Sequence, residues 1–115
     1  MSSLTRAPPA PKTLSPRAAA LWRRLLPICV ELRTIRRSDL VAFELLVVAL
    51  ATEQDAREAL NRDGMTVATA AGGIKSHPCL KVAERARAQA LGLLAQFGLT
   101  PVALQSASIW SGGEP

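Results

Sequence analysis

From Leu40 to Ala51 every residue is apolar except Glu44. No other feature limits the fold as tightly. The run is too short to cross a bilayer, which takes about 20 apolar residues. As a helix it is apolar nearly all round, and such a helix must be covered on all sides. A chain of 115 residues forms one domain with a modest core. One flank of this helix is therefore expected to pack inside its own subunit and the other against a second copy. Leu40, Val41, Phe43, Glu44, Val47 and Val48 are the expected oligomer contacts. Glu44 must either meet an arginine across that contact or reach water at a thin exposed edge.

The flanking sequence supplies the other elements. Ser15-Pro16 is a helix start, a hydroxyl cap followed by proline at the first helical position. Ala18, Leu21, Trp22, Leu25, Leu26, Cys29 and Leu32 then recur at three- and four-residue steps, predicting a first helix to about Leu32. Pro27 lies inside it and is expected to kink or split it. Ser38 and Asp39 open the second helix, which runs to about Arg62, with Gly64 as terminator. Its second half, from Glu53, reads as charged and solvated, with Glu53–Arg57 and Glu58–Arg62 at the i,i+4 spacing.

Met65 to Thr69 is a short β-type stretch, and the chain turns at Ala70-Ala71-Gly72-Gly73. The two glycines offer the positive-φ freedom of a tight hairpin. His77-Pro78 begins a third helix with Leu80, Ala83, Ala86, Ala90, Leu93, Leu94 and Phe97 as its apolar stripe. Gly98 and Pro101 stop it. Gly72, Gly73, His77 and Pro78 are the structural residues of this junction. The fold class is mostly α: a three-helix core over residues 15–101 with a small β-hairpin between helices 2 and 3. Residues 1–14, with Pro8, Pro9 and Pro11, lack periodicity and are expected to be a flexible basic arm, and 102–115 a C-terminal tail.

Charge is strongly segregated. Residues 1–37 carry a net +7 and residues 38–115 a net −2. A basic end on a near-neutral body suits an anionic partner, although ordinary helix-surface arginines produce the same count. The candidate DNA contacts are Arg6, Lys12, Arg17, Arg23, Arg24, Arg33, Arg36 and Arg37. Phosphate contact needs only positive charge within reach. Exposed aromatics for base stacking are scarce, and Trp22 belongs to the core stripe. A helix-turn-helix across Arg33–Ser38 is rejected, because the second helix has almost no polar residues with which to read bases.

Catalytic and metal chemistry find little support. There is one His and no metal-ligand spacing. Gly72-Gly73-Ile74-Lys75-Ser76 fails as a phosphate loop, since Ile74 stands before the lysine where glycine is needed. A Cys79–His77 dyad is outweighed by a structural role for both. No cofactor and no enzymatic activity are expected. Cys29 and Cys79 read as free, buried thiols of a cytoplasmic protein, and no apolar leader is visible.

Taken together, the parts resemble the small terminase subunit of tailed bacteriophages, or of a related prophage or gene transfer agent. The residues that carry the likeness are Leu14-Ser15, Trp22-Arg23-Arg24-Leu25, the apolar helix after Ser38-Asp39, Gly64, Gly72 through Pro78, and Phe97-Gly98-Leu99-Thr100-Pro101. The resemblance implies a non-enzymatic packaging factor in the bacterial host cytoplasm. It implies a ring, often of eight to ten subunits in the family, that binds double-stranded viral DNA. It also implies delivery of that DNA to a large terminase subunit holding the ATPase and nuclease, with no membrane partner. A ring would multiply weak basic contacts into avidity. A basic oligomeric DNA-binding regulator unconnected with packaging is the alternative.

Overall fold

The computed structural model describes residues 3–100. Its elements in chain order are α1 (Pro16–Leu32), a 3-10 turn (Arg37–Asp39), α2 (Leu40–Asp63), β1 (Thr66–Ala68), β2 (Ile74–Ser76) and α3 (Pro78–Gln96). This is the mostly helical class expected, with a two-stranded hairpin between the second and third helices.

Each helix starts and stops for a local reason. The Ser15 hydroxyl accepts from the Ala18 N–H at 3.2 Å, and Pro16 sits where its missing N–H costs nothing. Gly64 closes α2 at φ +85, donating to the Leu60 carbonyl at 2.7 Å. Two expectations need correction, the split of α1 at Pro27 and the cap of α2 at Ser38. α1 runs unbroken through Pro27, whose ring lies exposed while Leu25, Leu26 and Cys29 are fully buried around it. Packing on the core side holds the helix across the lost donor. Ser38 is not the cap of α2 but lies inside the 3-10 turn. The Asp39 carboxylate reaches back to the Arg36 N–H at 2.9 Å instead.

The core joins α1, the first half of α2 and the last turns of α3. Phe43 stands at its centre, edge-on to Trp22 (centroids 5.2 Å apart) and to Phe97 (5.5 Å). Phe43, Leu46, Val47 and Leu50 are fully buried on one side of α2, whereas Val41, Leu45 and Val48 are exposed on the other. Phe43 and Val47 are therefore corrected as oligomer contacts: the subunit's own core has used them. Leu40 and Glu44 are half-buried. Glu53, read as solvated, is only 3 % exposed, and its carboxylate takes a 2.8 Å bond from Arg57. Glu58 pairs with Arg17 in place of Arg62, which turns to Asp63. Cys29 is buried, and burial pushes its thiol up to about 11, well above the reactive range. Cys79 is only half-buried, less covered than expected.

The largest departure is the N-terminal segment. Over residues 3–14 it is not a free arm but a strap lying antiparallel to α1. Its Leu4 N–H donates to the Ile35 carbonyl at 2.9 Å, and the Trp22 indole N–H donates to the Pro8 carbonyl at 3.0 Å. Leu4, Ala7, Ala10 and Leu14 pack on the core. Proline lowers the cost of ordering such a segment, because its φ is fixed before docking. No helix among the described residues is long and apolar enough to cross a membrane. The expected tail 102–115 lies outside the described residues.

Candidate nucleic-acid interface

The candidate basic residues divide into four groups. Arg17 is occupied: its guanidinium bonds Asp55 at 2.8 Å and Glu58 at 2.6 Å, tying the start of α1 to the middle of α2. Those contacts hold its proton more firmly, the Glu58 bond most of all. Arg17 thus ties two helices together in addition to being a candidate DNA contact. Arg23 and Arg24 are exposed on α1 away from the core. Arg33, Arg36 and Arg37 crowd the connector between α1 and α2, all exposed, with Arg36 Nε 3.6 Å from Asp39. Arg6 and Lys12 are exposed on the strap. Arg6 falls between the Leu4 and Pro8 tethers, which places it beside the C-terminal half of α1.

The connector has a defined shape. Arg33 takes the left-handed conformation at φ +58 and caps α1, donating to the Val30 carbonyl at 3.1 Å. Thr34 continues the cap with a 3.0 Å bond to the Cys29 carbonyl. Ile35, in the midst of four charged and polar neighbours, is fully buried. It anchors a turn from which Arg33, Arg36 and Arg37 project. Sequence reading missed Ile35 as an anchor; its lone apolar side chain in a basic run was the available signal. No cluster of three His, Cys, Asp or Glu side chains able to hold a metal occurs among the described residues.

The hairpin residues do structural work at the opposite end. β1 and β2 pair antiparallel in the register Thr66↔Ser76, Val67↔Lys75, Ala68↔Ile74. Gly72 takes φ +89, while Gly73 does not use that region. The Thr69 hydroxyl closes the turn on the Gly73 N–H at 3.0 Å. His77 Nδ1 accepts from the Cys79 N–H at 3.0 Å, which puts the ring proton on Nε2, 3.0 Å from the Asp63 carboxylate. One imidazole thus caps α3 and clamps it to the end of α2. Pro78 occupies the first helical position.

Arg62 first and His77 second hold the Asp63 carboxyl at about 2, below its ordinary 3.8. A depressed carboxyl adds stability above its unfolded value and loses it as pH falls through the folded one. The urea midpoint of the wild type should therefore drop between about pH 4 and pH 2, and the Asp63→Asn variant should lack that part of the drop. His77→Ala should cost about 1 kcal/mol as a lost cap, and His77→Asn, which keeps an acceptor, should recover most of it. Equal loss in both variants would show that the cap contributes nothing.

Comparison with known proteins adds one finding. A family model described as phage terminase, small subunit, matches residues 18–112. No curated protein and no solved structure matches.

Proposed function

The chain belongs to the phage terminase small-subunit family, and from that premise we propose that it binds double-stranded DNA and presents it to a large terminase subunit. The family's role lies in packaging viral DNA, with the ATPase in the large subunit, so this subunit acts without catalysis. The observation that supports the DNA surface is the exposed arginine turn Arg33, Arg36 and Arg37 at the end of α1. Arg6, Lys12, Arg23 and Arg24 extend it. Contact is mainly with phosphates, since no exposed aromatic side chain accompanies these arginines among the described residues.

Assembly supplies the rest of the affinity. Val41, Leu45 and Val48 leave an exposed apolar stripe on α2, 72 %, 58 % and 42 % accessible. The stripe borders a shallow groove between α2 and α3 lined by Leu45, Val48, Ala49, Gly92 and Leu93. Copies of the chain cover this face in a ring, and the ring repeats the arginine turn around the DNA.

A duplex-binding titration at several salt concentrations tests the reading. With about six phosphate contacts per bound unit the log–log salt slope is near −5. Changing Arg33, Arg36 and Arg37 together to Gln should reduce that slope by about 2.7. An unchanged slope would refute the assignment of the surface. The packaging role is separated from that of a general DNA-binding regulator by adding the large subunit: only the former changes its ATPase rate. Native mass well above the monomer is expected, and Val41→Ser with Leu45→Ser should lower it.

A further inference from the structure

The strap touches the connector at two alternate residues. The Ser3 hydroxyl donates to the Arg33 carbonyl at 3.1 Å, and the Leu4 N–H to the Ile35 carbonyl at 2.9 Å. The Leu4 side chain packs on the same core that receives Ile35. On another side the end of α3 closes in: a Cβ at Gly98 would stand 3.1 Å from Thr34 Cγ2. The arginine turn is thus held by segments from both ends of the described chain. Its backbone includes a non-glycine residue at φ +58, which costs free energy and persists only where neighbours enforce it.

We infer that the strap is a positioning element for DNA binding: Ser3 and Leu4 fix the 33–37 turn so that Arg33, Arg36 and Arg37 meet phosphates already arranged. The strap's own charges, Arg6 and Lys12, add contacts, but its larger effect is indirect. Pre-arranged side chains lose less freedom on binding, so affinity is gained without new contacts. A strap that serves only as a charged arm would give a different pattern, because removing its tether would then change nothing at the connector. This inference rests on the DNA-binding reading above.

The test uses the full chain and a duplex of about three helical turns. Leu4→Asn removes the apolar anchor without altering charge. Arg6→Gln with Lys12→Gln removes charge and keeps the anchor. Hydrogen exchange at the Thr34 and Arg36 amides, which bond Cys29 and Asp39, reports whether the turn is held. Leu4→Asn should speed exchange there and weaken duplex binding roughly fivefold or more, the order expected when pre-set side chains must be ordered anew. The charge variant should leave exchange unchanged and reduce the salt slope by up to about 1.8. If Leu4→Asn lowers helix content, Ser3→Ala, which removes a single exposed bond, carries the comparison. Unchanged connector exchange in the tether variants overturns the inference, as does faster exchange with undiminished binding. A wild type that fails to bind duplex at low salt overturns the functional reading itself, a distinct result.

Discussion

Phe43→Ala should destabilise the subunit by about 3–5 kcal/mol, the range for deleting a buried aromatic ring from a core. Phe43 is fully buried and is the ring shared by both aromatic contacts, at 76° to Trp22 and 85° to Phe97. It therefore joins α1, α2 and α3 at one point. Edge-to-face pairs add about 0.5–1.5 kcal/mol each beyond burial, so the loss belongs in the upper part of the range. Domains of this size have about 5–15 kcal/mol in total, and a variant losing 4 would be close to unfolding at physiological temperature. Phe43→Leu keeps most of the volume and should cost about 1–2 kcal/mol. Urea unfolding read by tryptophan fluorescence measures both, since Trp22 is in contact with the site. A loss under about 1 kcal/mol for the alanine variant would mean that the core can collapse around the gap. Loss of assembly with an intact fold would return Phe43 to the interface.

That alternative was a reasonable one from the sequence. A helix apolar on every side does not say which side faces home. In the fold the run divides, with Phe43, Leu46, Val47 and Leu50 inward and Val41, Leu45 and Val48 outward. The division depends on where α1 and α3 land, which is tertiary information. The helix limits were legible because their causes are local: Ser15-Pro16, Gly64, His77-Pro78 and Gly98 act within one turn. The hairpin was legible for the same reason. The strap was not. Its prolines and small residues have no period, and its docking depends on a tryptophan N–H that needs an acceptor and on two carbonyls beyond α1. For the candidate site, the arginines could be counted but not sorted. Arg17 and Arg24 fall on the same side of a helical wheel, and nothing in the sequence says that Arg17 meets Asp55 and Glu58 of another helix.

The same limit applies to the carboxylates and leads to the second large effect. Glu44 drew attention as a lone charge among apolar neighbours, but Glu53 is the one that folding covers. Its side chain is 4 % exposed and bonded at 2.8 Å to Arg57, itself 24 % exposed. Arg57→Ala takes that charge-assisted bond from a carboxylate that water barely reaches, and breaking such buried pairs costs about 3–5 kcal/mol when one partner goes. The partial exposure of Arg57 brings the expected loss to the lower limit of that range or just under it, about 2–3 kcal/mol. Arg17→Ala removes two ion pairs, yet Asp55 and Glu58 are 65 % and 64 % exposed and regain water at once. Its cost should stay below about 1 kcal/mol. The two alanine variants therefore rank by how far each carboxylate is cut off from water, because desolvation and not pairing sets the scale. Replacing both Glu53→Leu and Arg57→Met should restore most of the stability lost in Arg57→Ala, since a buried pair often does no better than apolar side chains of similar size. Urea midpoints for the three variants decide it. Equal losses in Arg57→Ala and Arg17→Ala would show that the Glu53 carboxylate finds water or another donor once Arg57 is gone.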